Sequence, residues 1–402
     1  MINIAVLGYG TIGSGVVEIV DRNQTILQKK TRQSVEVKYI LDIREFPGTS
    51  IESKLVHDFQ TIVNDPDVQV IVETMGGLEP AYTYAKESLL AGKAYVTSNK
   101  ELVAKYGAKL LALAKSQNTN FLFEASVGGG IPVIHPLNRC LTGDEILEIS
   151  GILNGTTNYI LTQMTEEGWS FEDALKDAQE KGYAEFHPEA DIEGHDARRK
   201  IAILGSLAVG RQIDFEDVYT EGITKITAAD ISYAEAMDCK IKLLGTYKNT
   251  KEGQYAMVAP KLVPLTQPLS GVSGVFNSIF VKGDMVGDVM FYGPGAGKLP
   301  TASAVIGDVV DAIKHLDRYI GTIWEEDKLV LQSLDSFEQK VFVRMKDSVD
   351  KSKVKEAFGD VEEITTQKVT GEYAFLTGVM KEKEMSAKLS AFPELISFIR
   401  MA

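Results

Sequence analysis

The residues best suited to chemistry lie in one stretch, Gly182-Tyr-Ala-Glu-Phe-His-Pro-Glu-Ala-Asp-Ile-Glu-Gly-His-Asp-Ala-Arg-Arg-Lys200, which runs into the apolar segment Ile201–Val209. Glu185, Glu189, Asp191, Glu193 and Asp196 precede Lys200 at the start of a helix whose following positions call for burial. Asp196 and Lys200 are four residues apart, so on a helix they share a face and the carboxylate orients the amine. A lysine so placed is a candidate for proton transfer: burial and the positive end of a helix disfavour an ammonium, while neighbouring carboxylates favour it. The same spacing also describes an ordinary surface ion pair.

A second constellation opens the chain. Ile2–Leu7 is an apolar run broken only by Asn3, followed by Gly8-Tyr-Gly10-Thr11-Ile12-Gly13 and the amphipathic stretch Ser14–Gln28. This is strand, glycine turn, helix: Gly8 supplies the tight turn, Gly10 lets the backbone approach a pyrophosphate, and Gly13 lets the helix pack on the strand. Thr11 and Ile12 belong to the same phosphate-facing turn. Val35–Leu41 reads as the next strand, and Asp42 at its end can accept from a ribose hydroxyl, although an ordinary turn also fits. Strands at Gln69–Glu73, Ala94–Thr97 and Asn120–Glu124 then alternate with helices, implying a parallel sheet covered on both faces, with ligands at the carboxyl ends of its strands. Lys100, after Ser98-Asn99, stands at such an end, placed to meet the nicotinamide side of the crevice or the substrate, although a solvated lysine near a helix start fits equally.

From Glu145 the rhythm changes. A strand to Leu153, a polar turn Asn154-Gly155-Thr156-Thr157 and several helices precede strand-like runs between Ile241 and Tyr292, the pattern of an α+β domain with an antiparallel sheet. The glycine-rich turn Gly293–Ser303, which contains Gly297, leads into a helix expected over Ala304–Ile320. From Gln339 the order is βαββα, ending in a helix expected over Glu382–Phe398. The expected division is a dinucleotide-binding domain over 1–134, rejoined by the helix at 300–320, a second domain over 135–299, and a small domain over 339–402.

With 402 residues, 44% hydrophobic and 24% charged, the chain suits a globular protein of two or three domains. Its net charge of −14 repels phosphate, which argues against nucleic-acid and anionic-membrane partners and for a small-molecule ligand. Cys140 and Cys239 show no disulfide or zinc spacing, and neither a signal peptide nor a membrane-length apolar run is evident; a cytoplasmic location is expected. His187 and His195 among Glu189, Asp191 and Glu193 raise a divalent metal site, but a loop start at Pro188 explains the same composition.

Together these residues resemble homoserine dehydrogenase, which interconverts L-homoserine and L-aspartate 4-semialdehyde in threonine and methionine biosynthesis. The resemblance covers residues 1 to about 320. It rests on Gly8–Val16, Thr97–Lys100, Glu124–Pro132, Gly151–Asn158, Tyr183-Ala-Glu185 with Asp196 and Lys200, and Gly293–Ser303. It implies a Rossmann domain plus an α+β substrate and dimerisation domain. It further implies Lys200 as acid/base, Glu185 and Asp196 as substrate ligands, Tyr183 and Asp191 at binding positions, and Lys100 in the chemistry or on the cofactor. Gly155 and Thr156 suit the substrate carboxylate. A monovalent cation, Na+ or K+, held by the backbone carbonyls of Glu124, Val127, Gly129 and Ile131, is implied by resemblance alone, as is a homodimer or dimer of dimers.

The cofactor is NAD or NADP. Asp42 repels a 2′-phosphate whereas Arg44 could pair with one, and the expectation is a preference for NAD. The C-terminal segment looks like a degenerate ACT domain, with Lys346-Asp-Ser-Val-Asp-Lys351 replacing the family's threonine-sensing loop; weak or absent threonine inhibition follows. Aspartate semialdehyde dehydrogenase is the nearest enzymatic rival, but it needs a nucleophilic cysteine, and Cys140 has no histidine-bearing motif beside it. A nucleotide-binding sensor without turnover is the rival from another class; it has no need of Lys100, Glu185, Asp196 and Lys200.

Overall fold

Valine and isoleucine dominate the first strands, and their burial is nearly total because both faces of the sheet are covered. In the computed structural model, which describes residues 1–402, the chain forms two units. The first comprises Met1–Ile146, Ala202–Phe215 and Lys282–Leu329; the second comprises Leu147–Ile201, Glu216–Val281 and Val330–Ala402.

In the first unit six strands form one sheet: β1 (Ile2–Leu7), β2 (Val35–Leu41), β3 (Leu55–Val56), β4 (Val68–Glu73), β5 (Ala94–Thr97) and β6 (Phe121–Leu122), in the order β3-β2-β1-β4-β5-β6. Every pairing is parallel. The order reverses beside β1, the switch point at which a doubly wound sheet opens a crevice for ligands. Ile4, Val6, Val70, Val72 and Val96 are fully buried beneath the helices. Late in the chain, helix Lys298–Lys314 returns to this core: Ala302, Val305, Ile306, Val309, Ala312 and Ile313 join Val16, Val17 and Val20 of helix Thr11–Arg22. The expected helix over 304–320 therefore starts earlier and ends at Lys314. The expected strand over 120–124 shortens to Phe121–Leu122, because Glu124 opens a 3-10 turn.

The second unit is built on a long antiparallel hairpin, Cys239–Thr250 against Gly253–Pro264, in unbroken register from Cys239↔Pro264 to Thr250↔Gly253. Strand Ile146–Ile152 flanks it on one side and the C-terminal strand Leu395–Met401 on the other. Residues 382–398, expected as one helix, divide: the helix ends at Leu389, and Leu395–Met401 is a strand. Pro393 cannot continue a helix, and the β-branched and aromatic residues after it suit a pleat. The C-terminal segment thus reads βαββαβ, and its last strand joins Gly253–Pro264 through Lys261↔Arg400 and Leu262↔Met401. It keeps a core of its own around Val341, Val343, Met345, Phe375, Met385 and Leu389. Side chains of this size contribute about 1.5–3 kcal/mol each when fully buried.

Candidate active site

In the second unit, the turn after strand Ile146–Ile152 brings the acidic loop and the lysine together. Asn154 caps helix Gly155–Glu166, its Oδ1 accepting from Thr157 N at 2.9 Å. Its Nδ2 donates to Asp191 Oδ1 at 2.7 Å and to Asp196 Oδ2 at 3.0 Å. Lys200 Nζ donates to the same Asp196 oxygen at 2.7 Å and to Leu153 O at 2.7 Å. Asn154, Asp196 and Lys200 are buried at 6%, 4% and 9% exposure, so the pair is not the solvated i,i+4 bridge that its spacing also allowed. Asp196 lies in the first turn of helix His195–Val209, where a carboxylate meets the positive end of the helix dipole.

The neighbouring positions explain why Gly151–Asn158 is so particular a sequence. A Cβ on Gly155 would lie 2.8 Å from Val275 O, so only glycine lets the helix start against that loop. Thr156 donates its hydroxyl to Tyr183 O at 2.7 Å, and the Tyr183 ring meets Tyr159 edge-on at 4.9 Å. Asn158 donates to Val272 O, Gly274 O and Phe276 O, and accepts from Lys242 Nζ at 3.1 Å. Burial pushes the Lys242 amine down to about 8. Glu185 stands apart: its side chain is exposed, and its backbone carbonyl accepts from Gln179 Nε2 at 3.1 Å. His187 is exposed as well, and no group of three or more His, Cys, Asp or Glu side chains is arranged to hold a metal ion.

In the first unit the glycine turn has the shape a dinucleotide needs. A Cβ on Gly13 would fall 1.9 Å from Gly8 O, so helix Thr11–Arg22 can pack on its strand only with glycine there, whereas a Cβ on Gly10 would point into open space. No side chain caps this helix, so its first-turn N–H groups have no side-chain acceptor there, as a phosphate-binding helix start requires. Ile12 packs against the core and Thr11 is exposed. At the end of β2, Asp42 accepts from Tyr9 N at 2.7 Å and from Arg44 Nε and Nη2, both at 2.9 Å. The Arg44 guanidinium holds the Asp42 carboxyl well below the usual carboxylate range. Lys100 is the first residue of helix Lys100–Ser116, which Asn99 caps by accepting from Glu101 N and Leu102 N. Gly297 is the N-cap of helix Lys298–Lys314.

Glu124 is committed in an instructive way. Its carboxylate accepts from Val133 N, Ile134 N and His135 N at 2.6–2.8 Å, while its own N–H donates to Asp308 Oδ2. His135 bridges Asp311 and Glu124, and these two carboxylates push its imidazole up to about 10. Burial raises the Asp308 carboxyl to about 8. The turn that follows packs closely enough on Gly295 that a Cβ on Gly129 would lie 2.3 Å from Gly295 O.

Sequence reasoning missed three of these groups. Asn154 carries a usable signal, an Asn directly before Gly-Thr-Thr at a helix start, the pattern of an N-cap. Glu73 at the end of β4 accepts from Met75 N, Gly76 N and Thr97 Oγ1, and burial raises its carboxyl; a lone Glu closing an apolar run gives no such hint. Asp308 meets Glu124 across 184 residues of chain, which local pattern cannot reveal.

A glycine turn at the switch point of a parallel sheet, with a buried lysine and its carboxylate held in a separate α+β unit, defines a nicotinamide-dependent oxidoreductase. Comparison with known proteins narrows the class. Residues 8–124 match the family model "Homoserine dehydrogenase, NAD binding domain" and residues 132–310 match "Homoserine dehydrogenase". A homoserine dehydrogenase from Bacillus subtilis is 41% identical over 318 residues, covering 78% of this chain and 73% of that protein. The crystal structure of a homoserine dehydrogenase from Thiobacillus denitrificans matches with a TM-score of 0.89 at 33% identity, covering 100% of this chain and 98% of the other. A hyperthermophilic archaeal homoserine dehydrogenase in complex with NADPH matches with a TM-score of 0.66 at 27% identity, covering 77% and 97%. The chain belongs to the homoserine dehydrogenase family. Its activity is the NAD(P)-dependent interconversion of L-homoserine and L-aspartate 4-semialdehyde, a step of amino-acid biosynthesis.

Proposed function

We propose that Lys200 is the acid/base of this reaction. The observation that carries the proposal is the buried Asn154–Asp196–Lys200 chain. Two of the three positions around Lys200 Nζ are taken by Asp196 and Leu153 O. The third, a hydrogen in the ammonium and a lone pair in the amine, can exchange a proton with the C4 hydroxyl of homoserine. A bound nicotinamide supplies the hydride acceptor for C4. Glu185, Asp196 and Asp191 hold the substrate ammonium, with Tyr183 against its chain, and the first-turn N–H groups of Gly155 and Thr156 receive its carboxylate. Lys100 orients the cofactor or the reacting oxygen from the end of β5.

The nucleotide lies on Gly8, Gly10, Thr11, Ile12 and Gly13, with its ribose at Asp42 and its far side near Gly297. We expect NAD to be preferred, because Arg44 is already engaged twice by Asp42 and a 2′-phosphate would have to break that pair beside a carboxylate. The test is kcat/KM with NAD+ and NADP+ in separate assays; a higher value with NADP+ overturns the preference. The backbone carbonyls of Glu124, Val127, Gly129 and Ile131 hold a monovalent cation. Commitment of the Glu124 carboxylate to three N–H groups leaves that residue its carbonyl, in keeping with ligation by main chain. Activity lost in tetramethylammonium buffer and regained with Na+ or K+ is the expected result; equal activity throughout removes the cation.

By function we divide the chain into 1–134 with 300–320 for nucleotide, 135–299 for substrate and dimerisation, and 339–402 as an ACT-like module. Exposed Met285, Val286, Met290 and Tyr292 supply apolar surface for a homodimer. Full-length protein sedimenting as a dimer, with activity unmoved by millimolar L-threonine, is expected; a monomer, or strong inhibition, contradicts the respective half. The two unpaired cysteines suit the reducing cytoplasm, which cell fractionation checks.

A further inference from the structure

The last strand of the chain lies next to the elements that carry the substrate loop. Arg400, with a side chain only 3% exposed, extends from strand Leu395–Met401 and donates through Nη1 to Glu221 Oε2 at 2.7 Å. Its Nη2 donates to Glu382 Oε1 at 2.6 Å and to Tyr219 OH at 3.3 Å. The short strand Tyr219–Thr220 pairs with Met257 and Val258 of the long hairpin, and Glu221 N extends that ladder to Val258 O at 2.8 Å.

The residues immediately after Glu221 press on the acidic loop. Ile223 N donates to Ile192 O at 2.8 Å, and Thr224 Oγ1 reaches Glu193 Oε1 at 3.3 Å. A Cβ on Gly222 would fall 2.3 Å from Ile192 O and 2.6 Å from Glu193 Cα, so backbone meets backbone there with no room for a side chain. A Cβ on Gly194 would likewise lie 3.1 Å from both Thr220 and Val258. Ile192 to Gly194 is the link between Asp191, bonded to Asn154, and helix His195–Val209, which carries Asp196 and Lys200.

We propose that Glu221 and Arg400 are positioning residues for the substrate: their ion pair clamps segment 219–224 against the 191–195 link and so sets where Asp191 stands. The C-terminal segment thereby acts on substrate binding through Arg400, and this inference rests on the assignment of the acidic loop to homoserine given above. The clamp lies outside the Asn154–Asp196–Lys200 chain, so its loss displaces Asp191 and leaves Lys200 bonded to Asp196 and Leu153 O.

The test compares Glu221→Ala, Glu221→Gln, Arg400→Met and the double variant Glu221→Ala/Arg400→Met, all in the full chain. In Glu221→Ala the KM for L-homoserine is expected to rise about tenfold, with kcat within about twofold and the nucleotide KM unchanged, as a small misplacement of binding groups produces. Glu221→Gln, which keeps an acceptor for Arg400, recovers most of the loss. The double variant loses no more than the worse single one, because one pair is being broken. Hydrogen exchange of the amides over 189–196 is expected to be faster in Glu221→Ala. Arg400 is deeply buried and its replacement endangers folding; Glu221 is partly exposed, and its variants decide the matter if Arg400→Met fails to fold. An unchanged homoserine KM with unchanged exchange over 189–196 overturns the proposal, as does an equal rise in both KM values. Absence of homoserine turnover in the unsubstituted protein is a failure of the functional reading instead, and the exchange rates still judge the clamp.

Discussion

Replacing Lys200 with methionine lowers kcat for homoserine oxidation by about 10²–10⁴, the span that positioned acid–base groups contribute, while nucleotide affinity is retained. Methionine keeps the volume of the lysine stem but cannot take up a proton. It also leaves the Asp196 carboxylate buried beside Asn154 without its cation, which costs about 3–5 kcal/mol of stability when a buried pair is broken on one side. Lys200→Arg separates the two effects: it restores a cation for Asp196 but holds its proton too tightly to serve as a base. Rates from both variants, beside their thermal midpoints, check the assignment. Turnover near that of the unsubstituted protein in Lys200→Arg would move the proton to another group, with Lys100 the next to examine.

Asn154→Ala has the second largest expected effect. The loss of an N-cap alone costs about 0.5–2 kcal/mol. Here the same side chain also separates and satisfies two carboxylates, Asp191 and Asp196, which are left to repel each other when the amide is removed. The KM for L-homoserine is expected to rise at least about tenfold, because an ammonium site depends on the placement of both charges. Asn154→Asp keeps the cap but sets a third carboxylate against Asp191 and Asp196, so neither its KM nor its thermal midpoint recovers. Steady-state kinetics with homoserine varied at saturating nucleotide provide the check, and an unchanged KM in Asn154→Ala would remove Asn154 from substrate binding.

The first unit was legible because its rules are local. Apolar runs mark β1, β2 and β4, and glycine spacing marks the turn. The pairing of Asp196 with Lys200 followed from helical spacing, which fitted a surface pair equally; its burial is a finding of the structure. What the sequence hid depends on distant chain. Asn154 meets Asp191 and Asp196 across 37 and 42 residues, and Arg400 meets Glu221 across 179. The error over Glu382–Phe398 has a local cause: Lys383–Leu389 favours a helix, and Pro393 is the only break before a strand whose place comes from its neighbours Gly253–Pro264 and Val341–Lys346. Glu185, singled out for its position in the motif, is exposed while Asp191 is bonded to Asn154, the cap of helix Gly155–Glu166.

The most direct measurement is absorbance at the reduced-nicotinamide band, with purified full-length protein, L-homoserine and either NAD+ or NADP+, run beside Lys200→Met whose nucleotide binding has been verified by titration. Homoserine-dependent reduction that collapses in the variant is the predicted result. Reduction that persists in the variant at the rate of the unsubstituted protein would contradict the role given to Lys200, and nucleotide binding without any homoserine-dependent reduction would contradict the catalytic reading as a whole.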